Sequence, residues 1–249
     1  EFSNVISMIL PTLLCIWFTS SQSVTSSVSI ACFSIYIHLP WSAMYHLQMG
    51  IMQEKVCNVN NLLRVLDQSF LLNASFMFAF ALSGSMWYGV VVFFVSYNYI
   101  FWLWVDFDNE RRKLKPDPSR GGFPGRIQNI GTTIILYLGP MFCRGDYENG
   151  LRALMCFLIM GWLFITYPFK GWSHPLFHIA LVPYTLVLLN SCNIVDVHST
   201  LPLTSVYLYF VDGCAGSGCL ASSVVLQDRL LVLLLVTLCI RHKLIVYET

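Results

Sequence analysis

Charge is what this sequence has least of. Only 11% of its 249 residues are Asp, Glu, Lys or Arg, well under the roughly 25% of an ordinary soluble globular chain. Fourteen basic against thirteen acidic residues leave a net charge of +1. With no basic excess to neutralise phosphates, a nucleic-acid partner is not expected. Proline is sparse as well, at ten residues, and with so apolar a composition this excludes a disordered or collagenous chain. The nine cysteines include no close C-x-x-C pair, so a thiolate metal cluster is not expected. Cys15, Cys32, Cys156 and Cys239 fall in apolar windows, where a thiol packs as a small hydrophobe. What is abundant is apolar surface, 56% hydrophobic and 15% aromatic, the composition of an integral membrane protein. The chain opens on Glu1, as a fragment or a processed product would, so its start is read neither as a signal peptide nor as the lack of one.

A membrane-spanning helix needs about 20 mostly apolar residues. Seven windows approach that length: 2–20, 24–47, 66–82, 87–105, 127–142, 151–167 and 175–192. The expected fold is therefore an all-α bundle of seven transmembrane helices over residues 1–192, followed by an atypical tail, 193–249. The first window holds Pro11 and the fifth is short. In the tail the apolar runs 201–211 and 230–240 are too short to span, and they are separated by small residues and by the pair Asp228 and Arg229.

Loop charges set an orientation. The segment 106–126 carries Arg111, Arg112, Lys113, Lys115, Arg120 and Arg126 among glycines and prolines, and reads as a solvated loop. Lys55 and Arg64 follow the second window and Lys170 the sixth, while the loops after the first and third carry no basic residue. Short basic loops stay cytoplasmic, so the even-numbered loops and the N-terminus are expected inside. Arg144 and Arg152 argue mildly against this, accompanied by Asp146 and Glu148. Cys143, Cys192, Cys214 and Cys219 would then lie on the outer side, with several disulfide pairings open. The glycosylation pattern at Asn73 falls inside the third window and reads as a chance match.

Ionisable groups inside spanning helices are costly and mark function by default. Ser42 and His46 lie four residues apart near the end of the second helix, on one face. Asp67 opens the third. His174 and His178, again four apart, open the seventh and can reach one ion from a single face. All three places border even-numbered loops, so they share one side of the membrane. Three imidazoles plus a carboxylate form the set expected of a catalytic zinc site, with the fourth position left to water. Neutral imidazole donors, with no cysteine among the candidates, favour zinc over magnesium or calcium, with iron and nickel left open. His38, eight residues from His46, reads as a headgroup-level or hydrogen-bonded histidine outside the site, as do His198 and His242. Ser42 has two readings, support of the site or back-bonding to its own helix.

In order, helix placement and separation, Ser42-x-x-x-His46, Asp67 and His174-x-x-x-His178 resemble the three motifs of the seven-helix hydrolase superfamily that includes alkaline ceramidases, progestin and adipoQ receptors, and hemolysin III proteins. The resemblance covers about residues 24–192. Glu54-Lys55-Val56-Cys57 followed by Leu66-Asp67-Gln68-Ser69 is most similar to the progestin and adipoQ receptor branch, whose inside N-terminus agrees with the loop charges. The ceramidase branch usually places a glutamate after the aspartate, where this chain has Gln68, and carries an acidic segment before its first helix that is absent here.

The resemblance implies that His46, His174 and His178 bind zinc, that Asp67 holds or deprotonates the zinc-bound water, and that Ser42 supports the site. Such a protein hydrolyses a lipid amide or ester, ceramide being the leading substrate. It reaches that substrate from the bilayer of the plasma membrane or of the endoplasmic reticulum and Golgi. The other implied role is a receptor of the same fold with a mainly structural zinc. A transporter would show paired broken segments in its two halves, and the sequence shows none.

Overall fold

Backbone that crosses hydrocarbon has no water to bond, so each N–H and C=O must be satisfied within its own segment, which a helix does. The computed structural model describes residues 2–21, 24–52, 61–112 and 123–198. They form seven α-helices: α1 Phe2–Ser21, α2 Ser26–Met52, α3 Leu62–Ser83, α4 Met86–Arg111, α5 Phe123–Cys143, α6 Tyr147–Thr166 and α7 Ser173–His198, with a 3-10 turn, Lys170–Trp172, leading into α7. Among the described residues there is no strand. Six helices are long and apolar enough to cross a membrane, so the chain is a multi-pass membrane protein. The exception is α5, whose early turns carry Arg126, Gln128 and Asn129.

Several boundaries differ from expectation, each for a local reason. Helix α3 starts at Leu62 because Asn61 caps it, its side chain accepting from the Leu63 N–H at 2.9 Å; Asp67 consequently sits inside the helix rather than opening it. The segment expected as a loop from 106 to 126 is helical at both ends, since α4 runs to Arg111 and α5 begins at Phe123. Helix α1 continues through Pro11, as α2, α5 and α7 continue through Pro40, Pro140 and Pro183. Neighbouring helices re-satisfy the backbone groups that such prolines free. Helix α7 runs past Cys192 to His198. The rest of the tail lies outside the described residues, with its two apolar runs, Cys214, Cys219 and His242. So do Glu54-Lys55-Val56-Cys57 and the middle of the basic segment. Among the described residues no disulfide forms, Cys143 and Cys192 included.

Helices α2, α3 and α7 make the centre. α2 packs on α1, α3 and α7; α3 on α4 and α5 as well; α7 on α1 and α6. Lipid is as apolar as leucine, so the helices associate by close packing rather than by escape from water. Small buried side chains allow that approach, among them Ala31, Cys32, Ser34, Ala79 and Ala81, with Leu82, Met141, Leu188 and Leu189 filling the space between. Helix α4 is peripheral and leaves Trp87, Phe94, Tyr97 and Phe101 exposed. Gly84 and Ser85 alone join α3 to α4. Gly84 takes the left-handed conformation, φ +65°, to close α3 and return its N–H to the Phe80 carbonyl at 2.9 Å.

At one end of the bundle Arg144, in the α5–α6 turn, ties three elements together. Its guanidinium donates to the Leu82 carbonyl at the end of α3 and to the Ser191 carbonyl and hydroxyl in α7, and it pairs with Asp146 at 3.4 Å. Burial pulls its pKa below the ordinary value, and the Asp146 carboxylate opposes that.

Candidate metal centre

The other end holds the ionisable cluster. Up-and-down connectivity brings the start of α1, the end of α2 and the starts of α3 and α7 to this side of the bundle. His46 comes from α2, and His174 and His178 from the first two turns of α7. The i, i+4 spacing stacks the two α7 rings on one face, with centroids 4.6 Å apart; the His46 ring lies 4.9 Å from one and 5.3 Å from the other. Their ligand nitrogens all lie within 4.8 Å of one another, so the triad could hold a metal ion.

The fit can be tested on the nitrogens. His46 Nε2 and His174 Nε2 face each other at 3.3 Å. Two nitrogens at about 2.1 Å from one tetrahedral zinc stand ~3.4 Å apart, so these two already have the separation that a shared ion requires. The outward nitrogens are turned to protein partners. His178 Nδ1 meets the Ser7 hydroxyl at 3.0 Å and the Asn4 carbonyl at 3.2 Å, and His174 Nδ1 makes a long contact, 3.5 Å, with the Tyr167 hydroxyl. An imidazole ligand held by its second nitrogen is the usual arrangement around a bound metal. His46 and His178 are almost fully buried, and His174 is partly open.

Asp67 stands beside the triad. Its Oδ1 pairs with His38 Nε2 at 3.0 Å, and the carboxylate also interacts with the Ser42 hydroxyl and the His46 ring. The five residues singled out in the sequence, Ser42, His46, Asp67, His174 and His178, thus gather at one place. His38 is a hydrogen-bonded histidine, one of the two readings its sequence position allowed; what is corrected is its place, because its partner is Asp67 and the bond brings it beside this cluster. Eight residues turn a helix by about 80° beyond whole turns, so His38 leaves the face of His46 and turns toward α3. Its four-residue spacing from Ser42 was the available signal. Asn4, Ser7 and Tyr167 were missed because no pattern in the sequence links them to α7.

Chemically the arrangement offers three imidazole nitrogen donors and, at their side, a carboxylate with a hydroxyl and a further imidazole interacting with it. No family model, no curated protein and no solved structure matches this chain.

Proposed function

We propose that the chain is a seven-span, zinc-dependent membrane hydrolase that cleaves a lipid amide or ester, ceramide being the leading candidate. The observation that carries the reading is the convergence of His46, His174 and His178 on one point next to the Asp67 carboxylate. Donor chemistry supports zinc, because an all-imidazole set lacks the thiolates of structural clusters and the oxygens that calcium or magnesium demand. Zinc, when bound, would supply Lewis acidity and lower the pKa of a water molecule to about 7.

The chain's own residues would do the rest. Asp67, anchored through Oδ1 by His38, would take a proton from the attacking water and return it to the leaving amine or alcohol. The Ser42 hydroxyl, on the same face of α2 as His46, would donate toward Asp67 and orient it, and would be the group to serve a developing oxyanion. The partly open His174 edge gives a lipid carbonyl its approach, while the nearly complete burial of His46 and His178 keeps bulk water out. In this reading all seven helices span, the N-terminus is cytoplasmic, and the membrane is the plasma membrane or that of the endoplasmic reticulum and Golgi.

The deciding experiment is elemental analysis of detergent-purified protein, followed by fatty-acid release from ceramide and from phospholipids. About one zinc per chain, lost in His174→Ala plus His178→Ala, with release abolished in Asp67→Ala, is the expected result. A folded protein without zinc would sink the hydrolase. Zinc without any release would instead favour the progestin and adipoQ type of receptor.

A further inference from the structure

Helix α1 supplies no member of the triad, yet it touches the one buried deepest. His178 is 2% exposed, and both of its α1 neighbours, Asn4 at 3% and Ser7 at 4%, are buried with it. Counting protons gives the direction of the bonds between them. The Ser7 hydroxyl donates its one hydrogen to the Asn4 carbonyl at 2.9 Å, so at 3.0 Å from His178 Nδ1 it presents a lone pair. The Asn4 carbonyl, 3.2 Å from the same nitrogen, only accepts. A ring nitrogen facing two acceptors must carry the hydrogen. Nδ1–H therefore donates, and Nε2 keeps the lone pair that a metal needs.

We propose that Ser7 is a positioning residue: with the Asn4 carbonyl it locks His178 in the Nδ1–H tautomer and presents Nε2 as the ligand. This rests on the metal reading of the triad for its purpose, though not for its geometry. The plainer alternative is that Ser7 merely back-bonds within α1, as serines in membrane helices do, and that its nearness to His178 has no effect. The two differ in what deletion of the hydroxyl does to the ring.

The test uses the full chain in detergent, as wild type, Ser7→Ala and, as a control, Ser34→Ala. Ser34 is likewise buried, in α2, and among the described residues it bonds only the Ala31 carbonyl one turn back. Histidine nitrogen NMR of the metal-free protein reads the tautomer of His178, whose signals are assigned by their loss in His178→Ala. Zinc affinity is read by competition with a chelator. The expected result is an Nδ1–H signal in the wild type, tautomer mixing in Ser7→Ala, and zinc affinity about tenfold weaker in that variant. This is the low end of the ten- to hundredfold effect of such partners, because the Asn4 carbonyl stays. Ser34→Ala should change neither readout. An Nε2–H signal in the wild type overturns the proposal, and so does a Ser7→Ala protein with wild-type tautomer and affinity, or an equal loss in Ser34→Ala. If Ser7→Ala does not fold, the wild-type spectrum still decides. A wild-type chain that takes no zinc but shows the Nδ1–H signal defeats the metal reading and leaves the α1 lock standing.

Discussion

His38 Nε2 stands 3.0 Å from Asp67 Oδ1 across the α2–α3 interface, with the two side chains 17% and 19% exposed. Few contacts in the bundle join two ionisable groups in so little water, and a carboxylate at such a depth requires a partner. If Asp67 moves protons in hydrolysis, His38 fixes the direction in which its oxygens point. His38→Ala is expected to lower fatty-acid release about ten- to a hundredfold, as loss of an orienting partner does, while zinc content stays at the wild-type level. Turnover and elemental analysis on one preparation check this, and a loss of zinc would place His38 among the ligands instead.

Metal removal has a predicted effect on stability. An ion that binds only the folded protein stabilises it by about 2.7 kcal/mol when present at a hundred times its dissociation constant. The Tm of the wild-type protein in detergent should fall on adding a chelator and recover on adding zinc. His46→Ala, His174→Ala and His178→Ala should each show the lower Tm at the outset and be insensitive to the chelator. A wild-type Tm that ignores both additions would count against the site.

Gly84 is the next position to probe. A Cβ there would meet Val195 Cγ1 of α7 at 2.9 Å, on a backbone at φ +65°. The left-handed conformation costs a non-glycine residue about 1–2 kcal/mol, and the contact with Val195 adds to it. Gly84→Ala should lower stability by about 2 kcal/mol, and Val195→Ala in the same chain should relieve the steric part only. Denaturant unfolding of the two single variants and the double variant separates the contributions.

Arg144→Leu removes the donor for the Leu82 carbonyl and for Ser191, and leaves Asp146 with the Ser191 hydroxyl, 2.5 Å away. Hydrogen bonds to charged groups are worth about 1.5–3 kcal/mol each, and an orphaned buried acceptor costs more than a lost bond. A loss of about 2–4 kcal/mol is expected, with zinc binding at the far end of the bundle unchanged in the protein that still folds. Arg144→Lys should recover only part of it, since an ammonium has three donors and no planar fork for the four acceptors that the guanidinium meets. Thermal unfolding with zinc titration checks both statements.

The spans were legible because hydrocarbon imposes length and apolarity on each of them, so α2 and α7 could be found within a few residues. The triad was legible for a different reason. Four-residue spacing fixes a helical face, and counting spans places the end of α2 and the starts of α3 and α7 on one side of the bundle. Capping was not: Asn61 moved the start of α3 ahead of its apolar run, because the cap bonds backbone groups that hydropathy does not see. Nor was anything visible that depends on which helices become neighbours. Ser7 and His178 are 171 residues apart, and only the packing of α1 on α7 puts them in contact. His38 lay between these cases, spaced correctly for Ser42 and missed because its partner is on α3.

That packing of the first helix on the last has a consequence for biosynthesis. Domains acquire structure from the N-terminus as the chain emerges, and α1 is made before its eventual neighbour on α7, His178, has been translated. Until α7 arrives, Asn4 and Ser7 lack their His178 contact and His46 lacks the other two imidazoles of the triad. The candidate metal centre is therefore complete only once α7 is in place, and a chain stopped before Ser173 would carry six of the described helices, the His38–Asp67 pair and one histidine of the triad.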